Sequence, residues 1–172
     1  MTDWGSALVH LGYADQDFGP TPYGSYQDLA SGWRGDRALP SEADLLAALE
    51  ELDRPTTGDV DAERDRRIAT AFEFNGVAYQ LDQVSQGRVT AMGADARFAI
   101  ISGAQAGDLR WADPDADFGW IATDNSVTPM DAPTMAAFAD AAKLWVKRHT
   151  FAARALKAMD PIPDPTDGQY WP

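Results

Sequence analysis

An asparagine-glycine pair between two alternating apolar runs leaves a chain few choices, and residues 71–81, Ala-Phe-Glu-Phe-Asn-Gly-Val-Ala-Tyr-Gln-Leu, have that arrangement. A type I′ turn needs two consecutive residues that tolerate positive φ. Asn75-Gly76 supplies them, so the stretch is expected to close as a two-residue β-hairpin. The register follows directly: Phe74 meets Val77 and Phe72 meets Tyr79. Because side chains alternate across a strand, Phe72, Phe74, Val77, Tyr79 and Leu81 share one face, while Ala71, Glu73, Ala78 and Gln80 share the other. A lone hairpin is marginal in water. Its apolar face therefore requires a cover, and the long helical pattern near the C-terminus is the best candidate.

That pattern covers residues 132–159, 28 positions in the sequence or about 42 Å of helix. Asp131 is placed to cap it, and Pro133 is tolerated in a first turn. Met135, Phe138, Ala142, Trp145, His149, Ala152, Leu156 and Met159 recur at alternating spacings of three and four, a coiled-coil-style seam. The same helix carries Lys143, Lys147, Arg148, Arg154 and Lys157 against Asp140 alone. Such cations either favour the negative end of the helix dipole and cover apolar surface with their stems, or form a docking surface for an acidic arm from a neighbour.

Two further helices and a second hairpin complete the reading. Ser41-Glu-Ala-Asp44 resembles a capping box ahead of a stripe of Leu45, Leu46, Leu49 and Leu52. Residues 56–61 read as a linker, and residues 63–70 carry Arg64, Arg66 and Arg67 into the first strand. After the hairpin, Asp82 or Ser85 can cap a helix with Val89, Met92, Ala96, Ala99 and Ile100 on one side. Gly87 and Gly93 lie inside it, each costing about 1 kcal/mol of helix propensity, so both are expected where another backbone approaches closely. Gly103 and Gly107 end the helix. Trp111 and residues 118–123 read as strand, Asp124-Asn125 as a turn, and Val127 to Met130 as the return. The expected class is α+β: two β-hairpins packed with two main helices, the longer at the C-terminus, plus an irregular N-terminal arm. Expected boundaries are 1–60 for the arm and short helix, 61–160 for the α+β domain and 161–172 for an extended tail.

Both ends are rich in aromatic rings. Trp4, Tyr13, Phe18, Tyr23, Tyr26 and Trp33 are interleaved with Gly5, Gly12, Gly19, Gly24, Gly32 and Gly35, with no sustained period beyond a short helix near residues 4–11. Such an arm either wraps its own domain or lies on another subunit, where aromatic anchors carry interface energy. At the other end, Pro161, Pro163 and Pro165 forbid helix, and Tyr170 and Trp171 either dock back or plug a pocket on another chain.

Chemistry has few candidates. The formal charge of −13 argues against nucleic acid as a partner, because phosphate binding needs a basic surface. With no cysteine there is neither a disulfide framework nor a thiolate site. No apolar run is long enough for a bilayer, and no signal peptide is evident, which points to the cytoplasm. His10 and His149 lack any Gly-x-Ser-x-Gly or His-Glu-x-x-His context, and His149, on the apolar seam, reads as a hydrogen-bonded core residue. Asp113, Asp115 and Asp117 open like a calcium loop, but Gly119 falls one place late and Asp124 stands where a bidentate glutamate belongs. Arg34-Gly35-Asp36 is an adhesion tripeptide without context. No catalytic residue, metal site or cofactor is expected.

Arg64-Asp-Arg-Arg-Ile leading into Phe72-Glu-Phe-Asn-Gly-Val-Ala-Tyr-Gln-Leu-Asp, then Ser85, Arg88-Val89, Trp120, Asp124-Asn125-Ser-Val127, Lys147, His149 and Ala153-Arg154 carry a resemblance. Over residues 64–159 the chain resembles a domain of unknown function encoded beside tail-fibre and baseplate genes in tailed bacteriophages. The resemblance implies a virion protein of the tail tip, baseplate or fibre attachment region, made in the host cytoplasm and acting through contacts with other tail proteins in an oligomeric assembly. A fibre-assembly chaperone absent from the particle is the alternative, and a carbohydrate-binding or cell-wall module is a third. On this reading Trp4, Tyr13, Phe18, Tyr23, Tyr26, Trp33, Tyr170 and Trp171 are the interface residues, with no membrane contact.

Overall fold

The Asn-Gly hairpin closes in the expected register. Strands β1 (Phe72–Phe74) and β2 (Val77–Tyr79) are antiparallel, with Phe72 opposite Tyr79 and Phe74 opposite Val77. Asn75 and Gly76 have φ of 51° and 77°, the two positive values a type I′ turn needs. Phe72, Tyr79 and Leu81 are buried, Phe74 and Val77 half-buried, and Glu73, Ala78 and Gln80 exposed. The computed structural model describes residues 3–18, 23–70 and 72–172. Gly19 of the glycine series and Ala71 of the outer hairpin face lie outside the described residues. Two compact units divide the chain, Met1–Arg54 and Pro55–Pro172.

In the larger unit the cover is the long C-terminal helix. The ring of Phe138 lies 5.5 Å from Phe72, 5.4 Å from Phe74, 4.8 Å from Tyr79 and 5.7 Å from Trp120, mostly edge-on or tilted, the geometry ring quadrupoles favour. This helix spans Ala132–Lys157, with Asp131 accepting the Thr134 N–H at 2.8 Å and Pro133 in the first turn. Met135, Phe138, Ala142, His149 and Leu156 of the expected seam are buried, Trp145 and Ala152 are half-buried, and Met159 beyond the helix end is exposed. The seam is satisfied within the chain. Its principal neighbour is the helix Gln83–Ile101, capped by Asp82, which accepts the N–H groups of Val84 and Ser85, both at 2.9 Å. Val89, Gly93 and Ala96 face the core, with Met92 and Ala99 half-buried and Ile100 exposed. A Cβ on Gly93 would overlap that of Ala139, so the two backbones meet there. Gly87, by contrast, has nothing within 4 Å of where its Cβ would be, so its expected close contact does not exist.

Residues 56–70 depart from the linker and strand expected. Thr57–Thr70 is a helix, running across the boundary read at residue 60, and Arg64, Arg66 and Arg67 lie on it. It starts with a reciprocal cap: Thr56 Oγ1 accepts the Asp59 N–H at 3.3 Å, and Asp59 accepts the Thr56 N–H at 2.8 Å. Its turns are joined by Glu63, which accepts from Arg66 and Arg67 at 2.6–2.7 Å. Such a helix is supported by caps and ion pairs and needs little apolar stripe.

The second hairpin pairs β3 (Gly119–Ile121) with β4 (Val127–Pro129), Trp120 opposite Thr128. Asn125 has φ 68° in its turn. Trp111 is not in a strand; it lies in the preceding loop and donates to the Met130 carbonyl at 2.9 Å. Thr123 donates its hydroxyl to the Ala78 carbonyl at 2.6 Å, joining the two hairpins.

The smaller unit has the two short helices expected, near residues 4–11 and after Ser41, and a third where irregular structure was expected. Helices α1 (Trp4–His10), α2 (Tyr26–Gly32) and α3 (Glu42–Leu52) start from Asp3, Ser25 and Ser41, whose side chains accept the N–H groups of Ser6, Asp28 and Asp44. In chain order Thr57–Thr70 is then α4, Gln83–Ile101 is α5 and Ala132–Lys157 is α6. Ser41 and Asp44 form the anticipated capping box. The stripe on α3 is narrower than its leucines imply: Leu45 and Ala48 are buried and Leu49 half-buried, while Leu46 and Leu52 are exposed. Among the described residues no helix is long and apolar enough to cross a membrane.

Candidate protein-binding surface

The side chains expected to grip partners are used largely inside the chain's own units. Trp4 and Phe18 are buried with Leu8, Leu29 and Leu45. Around them Tyr13, Tyr23, Tyr26 and Trp33 are half-buried. Trp4 meets Tyr26 edge-on at 6.2 Å, and Tyr13 meets Trp33 at 5.5 Å. Tyr13 donates to the Ala38 carbonyl at 3.0 Å, Tyr26 to that of Pro40 at 2.9 Å, and Trp33 to that of Arg37 at 3.0 Å. The Arg37 guanidinium sits 3.8 Å from the Tyr13 ring centroid, within cation–π range.

The C-terminal segment docks back. Trp171 is buried against Val60, Ala153 and Leu156, stacks on His149 at 5.9 Å and donates to the Pro165 carbonyl at 2.8 Å. Tyr170 is half-buried beside it. Arg67 from α4 donates to the Thr166 carbonyl at 2.8 Å and lies over the Trp171 ring. His149 is the core histidine expected: its Nδ1–H donates to the Trp145 carbonyl at 3.0 Å. Burial lowers its pKa below the ordinary value, and the nearby Arg67 charge adds to that. Lys157 of α6 donates to Asp61 of α4 at 2.7 Å. That bond, with the Arg64 and Lys157 charges, holds the Asp61 carboxyl below the usual carboxylate range. Glu63 is likewise lowered, chiefly by its bond with Arg66.

One open surface of the larger unit lies between α4, α5 and α6. A cavity of about 230 Å³ has Leu81, Val89, Ala139 and Ala142 on its floor, with Lys143 and Lys147 at its edge. It shares Gln86 and Val146 with a neighbouring cavity of about 510 Å³ reaching Arg64, Asp65, Ile68 and Asp82. Together they form one groove. Bonds from the Ser85 N–H and hydroxyl hold the Asp82 carboxyl low, so it stays ionised at that end. Arg64 is paired with Asp61 and Asp65. Lys143 and Lys147 make no ion pair among the described residues and are exposed. The groove thus combines an apolar floor with ammonium groups that are unpaired among the described residues. The lysines stood out in the sequence as the basic excess of α6; the floor did not, because Leu81, Val89 and Ala142 lie on separate elements that only the fold brings together.

The loop that resembled a calcium site is arranged through its own bonds. Asp113 accepts the Asp115 N–H at 2.9 Å, and Asp117 pairs with Arg110 at 3.1 Å. Among the described residues no three His, Asp or Glu side chains converge as a set of metal ligands.

No curated protein and no solved structure matches the chain. Residues 51–167, which contain all of α4, α5 and α6 and therefore the whole groove, match a family described as a domain of unknown function, DUF4376. The chain belongs to the DUF4376 family.

Proposed function

We propose that the protein is a structural component of a bacteriophage tail, in the tip, baseplate or fibre attachment region, and that it works by holding other tail proteins without performing a reaction. Two sequence features support this reading: the resemblance over residues 64–159 to a domain encoded beside tail-fibre and baseplate genes, and the absence of any recognisable catalytic motif. The observation that carries it is the groove over α5 and α6, apolar at its floor and edged by Lys143 and Lys147. In a protein of net charge −13, an unpaired basic edge on an apolar groove favours an acidic amphipathic segment of a neighbouring tail protein. The buried rings of Trp4, Phe18 and Trp171 then act indirectly, by fixing the units from which contacts are made.

Reversing both lysines, Lys143→Glu with Lys147→Glu, is expected to remove the protein from purified particles while leaving its thermal transition unchanged. Full incorporation of that variant overturns the groove as the grip. Mass spectrometry of wild-type particles separates a resident component, present in fixed stoichiometry, from an assembly chaperone, which would be absent or present only in traces.

A further inference from the structure

Helix α5 is apolar on two sides, and only one is covered. Val89, Gly93 and Ala96 face the core. On the outer side, Val84, Gly87, Ala91, Ala94, Phe98 and Ile101 recur at spacings of three, four, three, four and three, and all six are exposed. The large ones are strongly so: Val84 is 63% exposed, Phe98 72% and Ile101 83%. A helix that is hydrophobic all round is normally buried all round. A continuous seam of about 26 Å, at 1.5 Å per residue, is more than the scattered apolar residues any surface carries.

The order of residues along this seam says what covers it. Read in reverse about the point between Met92 and Gly93, the six positions fall on themselves. An antiparallel second copy of α5 brings Val84 opposite Ile101, Ala91 opposite Ala94, and Gly87 opposite Phe98, each contact occurring twice across a two-fold axis. The largest ring meets the residue with no side chain. Gly87 has open space around its missing Cβ, which its own chain does not use and a partner's Phe98 would fill. A parallel pair would instead stack Phe98 on Phe98 and leave Gly87 facing Gly87.

The flanking charges agree. Arg88 and Asp95 each follow a seam residue on the same side of the helix, both are exposed, and neither forms an ion pair among the described residues. In the antiparallel arrangement Arg88 of one copy faces Asp95 of the other, twice. On the opposite flank Thr90 faces Arg97, whose charge is already paired with Asp140, so no like charges meet. With the seam and both flanks covered, two copies bury on the order of 1,000 Å², the size at which a specific interface begins.

We propose that the outer face of α5 is a self-association surface, on which two copies of this chain pair antiparallel through Val84, Gly87, Ala91, Ala94, Phe98 and Ile101. Such pairing does not depend on a place in a phage tail. Sedimentation equilibrium on the full chain is expected to show a monomer–dimer equilibrium; a monomer throughout the micromolar range overturns the proposal. Phe98→Asp abolishes the dimer with the circular dichroism of the fold retained, and a Phe98→Asp protein that still dimerises overturns it. Arg88→Asp weakens the dimer by about ten-fold, and adding Asp95→Arg restores it; no restoration overturns the antiparallel pairing. Because the chain has no cysteine, orientation can be read covalently. A mixture of Val84→Cys and Ile101→Cys chains links into dimers on mild oxidation while neither alone does so; self-linking by either alone overturns the proposal.

Discussion

In Met1–Arg54 the rings of Tyr13, Tyr26 and Trp33 each hold a backbone carbonyl in the segment that leads into α3, whereas in Pro55–Pro172 the rings around Phe138 meet one another and pack. The difference follows from what surrounds them. The smaller unit has short helices separated by loops whose carbonyls have no ladder to join. Its aromatic side chains therefore supply apolar area and satisfy the backbone together. The larger unit has two long helices and two hairpins that satisfy their own backbones, so the rings around Phe138 specialise in packing, while Trp111 in a loop and Trp171 in the tail still donate to the carbonyls of Met130 and Pro165. Aromatic content alone thus does not mark a sticky surface; what the polar tip of each ring reaches decides its use.

The largest expected effect tests the packing side of this contrast. Phe138→Ala removes the ring shared by both hairpins and should cost the larger unit about 3–5 kcal/mol in chemical denaturation; a loss below about 1 kcal/mol would break the contrast. Gly93→Ala places a methyl group where Ala139 already stands and should destabilise by about 1–3 kcal/mol, seen as faster amide exchange along α5 and α6. Tyr26→Phe deletes only the tether to the Pro40 carbonyl and should cost about 1 kcal/mol, with exchange rising at the start of α3 and unchanged around Phe138. Gly87→Ala has the opposite sign in the monomer, a gain of about 0.5–1 kcal/mol in thermal stability at concentrations too low for pairing, since helix propensity improves and nothing in its own chain is displaced.

The smallest effect is one of pH. Because burial depresses the folded pKa of His149, the unfolded chain takes up that proton first. Its stabilising contribution is complete above the ordinary histidine value of about 6.5 and is lost as pH falls below it. Protection of the amides in the tail docked on His149, taken relative to their intrinsic exchange at each pH, should fall on acidification through that range, ahead of that of α5; a flat profile would place the anchorage of the tail elsewhere.

The hairpin, α5, α6 and the second hairpin were legible because their patterns are local and apolar: the Asn75-Gly76 pair, the Asp131-Ala-Pro133 start, and the recurring seam on α6. Helices α2 and α4 were not, for a shared reason. Each has few apolar residues in periodic positions, and each begins with a hydroxyl followed three places later by an aspartate, Ser25 with Asp28 and Thr56 with Asp59. The same pairing was recognised at Ser41 and Asp44 only because leucines follow it. In α4, Glu63 with Arg66 and Arg67 looked like charge ahead of a strand, when the spacing of three and four was itself the helical signal. The groove was partly visible, in Lys143 and Lys147. Its floor was not, because it exists only where Leu81, Val89 and Ala142 come together from separate elements. The destination of Trp171 was equally hidden, since docking on His149 is a contact between residues distant in the chain.

The contact of Gly93 with Ala139 works as a key in a slot. Rolling α5 about its axis or sliding it along α6 by one residue would bring a side chain to the place where Gly93 leaves room for Ala139. The far side of α5 is therefore offered to its surroundings at an angle and a height that this contact helps to set, as on a machined shaft, through a single hydrogen atom standing where other residues have a methyl group.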